Sequence, residues 1–417
     1  MRTSTSLSTS ADAAAGARPG PIRAADRVGS SAIRDLLALT ERPDVISLAG
    51  GLPNPDSFPV GIVAEAAAGI LASGPAALQY GLTEGDPGLR SWIARDHGVA
   101  ADQVLVTHGS QQALDLVART LLAPAGGRRG EPLRATVALA DPAYVGALQV
   151  LRLADVDLLP LPIDADGMRV DVLAEHLAAG RRVDAVYVVP SFDNPSGATL
   201  VDDRRAALLA LAAVHGFLVL EDDPYRELRF GGAAPRPLRT HAAEARATER
   251  LVTLGSFSKV LAPGLRVGYV VASPALVAEL AIIKQATDLH TSTFGQRIVA
   301  AVVDDDATFA GHLDELRARY RAQADALVTA IDARFGTRAA FVAPVGGMFV
   351  WLELDGVDDS DALLARALDH GTAFVPGSAF AVDRGRRAGL RLSFATASPA
   401  DLDEAVARLA RAVDARP

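Results

Sequence analysis

From about Gln103 onward, short apolar runs alternate with stretches in which apolar residues recur every three or four positions. The second spacing is that of a helix with one buried face. Val104-Leu105-Val106-Thr107 reads as a strand and Gln111 to Leu122 as a helix after it. Ala135 to Leu139 and Asp184 to Val189 are further strands, the latter ended by Pro190. Asp203 to His215 reads as a helix closed by Gly216, a residue able to leave the last turn in the left-handed conformation. Phe217 to Leu220, Leu251 to Leu254 and Val267 to Val271 complete the strands. Runs that are apolar at every position belong to strands buried on both faces. An α/β fold is therefore expected, with a mostly parallel sheet covered by helices.

The pattern changes further on. Ala307 to about Phe335 reads as one long helix rich in Arg, Asp and Ala. Gly347 to Leu354 and Leu390 to Phe394 alternate as half-exposed strands do. Asp361 to Asp369 looks like a helix with Ser360 as its N-cap, and Pro399 to Val413 like another. These elements predict a second, smaller α+β domain. The expected organisation is a disordered extension over 1–27, a segment of the small domain over 28–60, a large domain over 61–310 and a small C-terminal domain over 311–417. No internal repeat is visible.

Composition narrows the function. Half of the 417 residues are apolar, so a sizeable core is available, and the net charge is −9. Neither a nucleic acid nor an anionic membrane surface is an expected partner. There is no Cys, hence no disulfide, no thiolate metal site and no cysteine nucleophile; no metal is expected. No apolar run approaches the roughly 20 residues of a membrane span. The Ser-, Ala- and Gly-rich start lacks the apolar stretch of a secretory signal, and a cytoplasmic location is expected.

Polar clusters follow the strands. Gly109-Ser110-Gln111 opens a helix, where free amides favour a phosphate. Asn194-Pro195-Ser196-Gly197 follows the third strand, and Asp222 and Tyr225 the fourth. Ser256-Phe257-Ser258-Lys259 follows the next, with Arg266 beyond. Taken singly, these are turns and helix starts of a common kind. Lys259 is different, because the chain holds only two lysines, Lys259 and Lys284, among abundant arginine. A lysine amine can deprotonate and hold a carbonyl cofactor such as pyridoxal phosphate as a Schiff base; arginine cannot. Lys284, in the amphipathic stretch Val277 to Leu289, reads as an ordinary surface or interface residue.

In order, spacing and residue type, these clusters resemble the fold-type I pyridoxal-phosphate-dependent aminotransferases (class I/II) from about Ser31 to the C-terminus. Leu78 to Gly85 is similar to the family's tyrosine-bearing segment, and Asp141-Pro142-Ala143-Tyr144 to its ring-stacking segment. Ile46 to Pro53, which includes Gly51, resembles the branch of 2-aminoadipate aminotransferase and kynurenine aminotransferase II. The resemblance implies pyridoxal phosphate as cofactor and a role for each residue. Lys259 would form the internal aldimine and shuttle the proton between Cα and C4′. Asp222 would pair with the pyridine nitrogen; Tyr225 and Asn194 would bond the phenolic oxygen. Tyr144 would stack on the ring. Ser110, Gln111, Ser256, Ser258 and Arg266 would hold the phosphate. Arg391 would clamp the substrate α-carboxylate, with Asn194 and Gly51 beside it.

The resemblance also implies a homodimer with shared active sites. Tyr80 and the pair Thr291-Ser292 would reach the neighbouring chain's cofactor phosphate. Ser31 to Leu37 is similar to a segment whose arginine meets the substrate side chain, so Arg34 would read a distal carboxylate. Ala140, Leu82 and Asp193 depart from common family residues, and the last two bear on substrate identity. The expected reaction is amino-group exchange between an α-amino acid and a 2-oxo acid, with glutamate and 2-oxoglutarate as one pair. The alternatives are elimination, cyclisation, oxidation or decarboxylation on the same cofactor. A transcription regulator built on this fold is disfavoured, since no winged-helix domain precedes Ser31.

Overall fold

The structure, a computed structural model, describes residues 44–122, 134–383 and 388–415. The first strand, β1 (Ile46–Ser47), lies apart from the main sheet. That sheet is built from β2 (Val104–Thr107), β3 (Thr136–Asp141), β4 (Asp157–Asp164), β5 (Gly167–Met168), β6 (Ala185–Val188), β7 (Leu218–Asp222), β8 (Leu251–Ser256) and β9 (Gly268–Val271). Their spatial order is β2-β9-β8-β7-β6-β3-β4-β5. Neighbours from β8 through β4 pair in parallel, while β9 pairs antiparallel with both β2 and β8. The link from Ser256 to Gly268 carries the lysine turn and no crossover helix, so β9 returns antiparallel.

Period-two alternation separates two cores across the sheet. Val137, Leu139, Ala185, Tyr187, Leu220, Val252 and Leu254 face one core. Ala138, Val186, Val188, Val219 and Leu251 face the other. Asp222 follows Leu220 by two residues and therefore shares the face of Tyr187; Glu221 points the other way and accepts from Thr253 Oγ1 at 2.6 Å.

Beyond the helix Asp306–Phe335 come β10 (Ala339–Ala340), β11 (Phe349–Leu354), β12 (Thr372–Ala373), β13 (Val375–Pro376) and β14 (Leu390–Ser393). Four of them form a sheet in the order β10-β11-β14-β13, and β12 pairs in parallel with β1. That pairing ties the segment after Ile46 to the C-terminal lobe: Leu48 donates to Ala373 O at 2.7 Å, and Ser393 donates to Leu48 O at 2.8 Å.

Three local readings are corrected. The helix Ser360–Asp369 is capped by Asp359, whose Oδ1 accepts from the amides of Asp361 and Ala362. Ser360 is buried, and its hydroxyl accepts from Gly377 N at 3.1 Å. The strand β14 is buried at all four positions, because Leu390 and Leu392 join the core while Arg391 and Ser393 face the rest of the chain. Lys284 is no surface residue: the helix Pro274–Thr287 turns it inward, with 0% of its surface exposed. Apolar periodicity located the helix but could not show that its one cation meets a carboxylate inside. Among the described residues, no helix is long and apolar enough to cross a membrane, and no group of His, Asp or Glu is placed to hold a metal ion.

Candidate active site

A cavity of about 410 Å³ lies where the parallel strands end. Gly51, Ser110, Gln111, Tyr144, Asn194, Asp222, Tyr225, Ser256, Ser258, Lys259, Arg266 and Arg391 all line it. The chain folds this way because β2, β3, β6, β7 and β8 point their carboxyl ends to one edge. Ligands of such sheets sit at that edge. Arg391 arrives from β14 of the small lobe and Gly51 from the segment that β1 anchors.

One end of the cavity is a turn and a guanidinium. Gly109, at φ 83°, starts the helix Ser110–Leu121 with no side-chain cap, leaving first-turn amides for an anion. A Cβ on Gly268 would lie 2.6 Å from the Cα of Gly109, so the close approach of β9 to this turn requires glycine. Arg266 donates through Nη2 to His108 O at 2.9 Å. Gln111 donates to Gly146 O at 3.1 Å, and the Tyr144 hydroxyl donates weakly to Gln111 Oε1 at 3.5 Å. Ser258 N donates to Ser256 Oγ at 3.1 Å.

The opposite end holds Asp222, which is buried. The Tyr187 hydroxyl donates to its Oδ2 at 2.7 Å, and its Oδ1 is buried with no hydrogen-bond partner. Burial pushes this carboxyl up to about 6; the Tyr187 bond opposes the shift and the charge of Asp223 adds to it. A cationic N–H donor is the partner such a carboxylate lacks. Tyr187 was missed from the sequence. Its signal was available: a hydroxyl on an otherwise apolar buried strand needs a partner nearby.

Lys259 Nζ donates to Gly51 O at 3.0 Å. Burial lowers its pKa to about 8, and the Arg391 and Arg266 guanidinium groups contribute to the shift. A good fraction of the amine is thus neutral near physiological pH. Asn194 Nδ2 lies 3.5 Å from the Tyr225 hydroxyl, whose pKa is raised by burial and by Tyr144, so the phenol keeps its proton.

Arg391 is 1% exposed. Its Nη1 donates to Asn194 Oδ1 at 2.9 Å and its Nη2 to Ala49 O at 2.6 Å, while Nε is buried without a partner. Phe349 and Phe380 lie against the guanidinium, 4.4 and 5.1 Å from its carbon to their ring centres. No sequence signal had marked these two rings. Burial lowers the Arg391 pKa to about 10, opposed by Tyr225 and Tyr144.

Tyr80 is not brought into this cavity; it is 77% exposed with its ring edge against His290. Thr291 is buried and donates to Val106 O at 3.2 Å, which holds it inside its own chain, and Ser292 caps the helix Thr293–Val303. Asp193 is buried, accepts from the Ser196 hydroxyl at 2.7 Å and is pushed up to about 6 by burial. Arg34 lies outside the described residues.

A buried lysine, a buried acid, a tyrosine, an uncapped helix start and a buried arginine in one cavity are what a fold-type I pyridoxal-phosphate enzyme would need. Residues 43–409 match the family model for aminotransferase class I and II, and the chain belongs to that family. It is 42% identical to the 2-aminoadipate transaminase of Thermus thermophilus over 94% of this chain and 96% of the relative. It is 36% identical to aromatic-amino-acid aminotransferase 1 of Thermococcus litoralis, over 92% and 91%. The solved α-aminoadipate aminotransferase from Thermus thermophilus, complexed with N-(5'-phosphopyridoxyl)-L-leucine, superposes with a TM-score of 0.85 at 40% identity, covering 94% of this chain and 96% of that one. The enzyme is an aminotransferase and its cofactor is pyridoxal phosphate. The partnerless Asp222 Oδ1 and the uncapped helix start fit that group.

The depressed Lys259 pKa predicts how the stripped protein captures its cofactor. The capture rate should climb with pH and level off above about 8. An ordinary lysine would keep accelerating towards about 10.4. Stopped-flow absorbance on the apoprotein measures this, and a rate still climbing well past the depressed value, towards that of an ordinary lysine, removes the buried-amine account.

Proposed function

We propose that this aminotransferase exchanges the amino group of an α-amino acid with a 2-oxo acid in two alternating half-reactions, with glutamate and 2-oxoglutarate as one pair. The observation that carries the reading is the convergence of Lys259, Asp222 and Arg391 on one cavity. Bound pyridoxal phosphate supplies an electron sink for the electrons of the broken Cα–H bond. Arg391 orients the donor by its α-carboxylate, a contact that two parallel N–H groups make specific. Lys259 would act as the general base that takes the proton from Cα and, once protonated, as the acid that returns it to the bound cofactor. Asp222, steadied by Tyr187, keeps the ring nitrogen protonated. Tyr225 and Asn194 hold the phenolic oxygen, and Tyr144 stacks on the ring. Ser110, Gln111, Ser256, Ser258 and Arg266 hold the phosphate.

We infer further that two chains share their sites. The support is an apolar surface: the helix Val60–Ala72 contributes no buried residue although its sequence is almost wholly apolar. Leu52, Val60, Leu78, Tyr80 and Leu82 are each more than half exposed. Uncovered patches of this kind mark association. Tyr80 then serves the neighbouring cofactor.

The direct test is amino transfer into 2-oxoglutarate from a panel of donors, read as glutamate formed. Wild type should transfer, and Lys259→Ala should not. Ammonia released without glutamate would replace transamination by elimination or oxidation.

Mixing Lys259→Ala with Tyr80→Ala chains should restore activity, since one site of each mixed dimer is intact. Neither variant need be active alone. A mixture as inactive as its parts, with mixed dimers demonstrated by mass, assigns Tyr80 to its own chain or to none.

Arg34 is proposed to read a distal carboxylate, on the likeness of its segment. Arg34→Ala should then lower kcat/KM for 2-aminoadipate and glutamate roughly tenfold to a hundredfold, the worth of a charge-assisted contact. Leucine should change little. Equal losses for all three donors would make Arg34 structural.

A further inference from the structure

The second lysine of the chain lies beneath the turn that opens the helix Ser110–Leu121. Lys284 Nζ donates to both Asp288 oxygens at 2.8 Å and to Gln112 Oε1 at 3.4 Å. Asp288 Oδ2 is held in turn by Gln112 Nε2 at 2.6 Å and lies 2.7 Å from His108 Nδ1. Gln112 closes the loop by accepting from His108 N at 2.8 Å. These bonds grip the two residues that flank Gly109-Ser110-Gln111, one on each side. The carbonyl of His108 is also the acceptor for Arg266. A single carboxylate therefore fixes both the turn and the guanidinium beside it.

That carboxylate creates a problem that only a cation solves. Asp288 contacts His108 and Gln112, the residues on either side of the turn assigned to a phosphate, and anions in a partly buried setting repel. Lys284 has no exposed surface and supplies a compact charge with three donors, which matches two carboxylate oxygens and one amide oxygen. Removing one member of such a pair leaves the other charge uncompensated.

We propose that Lys284 is a positioning residue for the phosphate end of the cofactor, acting through Asp288 on His108, Gln112 and the turn between them. The inference rests on the reading of Gly109 to Gln111 and Arg266 as the phosphate cradle.

The test compares pyridoxal phosphate with pyridoxal, which lacks the phosphate. Stripped wild type, Lys284→Met and Arg266→Ala are titrated with each compound, followed by absorbance. In metal sites, the outer partners that orient a ligand are worth about 10–100-fold in affinity, and a cradle held from behind is expected to respond on the same scale. Lys284→Met should therefore weaken pyridoxal phosphate by about that factor and pyridoxal by less than about threefold. Adding Asp288→Asn to Lys284→Met removes the uncompensated charge and should recover part of the loss. If Lys284→Met does not fold, Lys284→Gln, which keeps a donor without the charge, is read by the same criterion. Equal weakening of both compounds, or none, overturns the inference. If Arg266→Ala discriminates between the compounds and Lys284→Met does not, the inference alone falls. If neither discriminates, the cradle reading falls and takes the inference with it.

Discussion

The direction shared by β2, β3, β6, β7 and β8 is the constraint on which this site depends. Their carboxyl ends reach one edge, so each strand delivers its next few residues to the same place. A helix-opening turn, a tyrosine, an asparagine, an acid and a lysine meet there although they are spread from Ser110 to Lys259 along the chain. Alternation within the strands then chooses the face. Asp222 turns towards Tyr187 and the cavity, while Glu221 and Thr253 pair on the far side. The antiparallel return of β9 adds Arg266 at the same edge, and glycine at 268 lets that strand press against the turn at Gly109.

Charge inside the cavity is unbalanced in a way that describes its ligands. Lys259, Arg266 and Arg391 face a single buried carboxylate, Asp222. Burial moves acid and base in opposite directions. It lowers the lysine to about 8 and the Arg391 guanidinium to about 10, and raises the aspartate to about 6. A phosphate, a substrate carboxylate and a ring cation would correct these imbalances together. Binding of such ligands and electrostatic relief would thus be one event.

Arg391 shows how a buried cation is tolerated between turnovers. Among the described residues no carboxylate bonds to it; two oxygen acceptors and two aromatic faces substitute. Taking a guanidinium from water costs several kcal/mol unless it is well partnered, and cation–π contacts in dry surroundings recover about 2 kcal/mol each. The arrangement leaves Nε unsatisfied, so the guanidinium is poised to take a carboxylate. Because Arg391 comes from β14 and its acceptor Asn194 follows β6, that same contact joins the two lobes of the chain.

Much of this was legible beforehand. Apolar runs located the strands of the main sheet, and the polar residues following them named most of the side chains that line the cavity, because a strand end is a local feature. Lysine scarcity singled out Lys259, since arginine cannot replace it chemically. Three things were not legible. Lys284 was read as a surface residue because helical periodicity says which face is apolar, but not whether a lone cation finds a carboxylate within. Phe349 and Phe380 act through a partner on another element, and spacing along the chain carries no record of such meetings. The burial of β14 depended on the rest of the chain covering its second face. The sequence by itself determined the elements, their order and the reactive groups, all properties of short stretches. Only the tertiary structure decided which groups share a dry volume, and in that volume burial sets their charge and their partners.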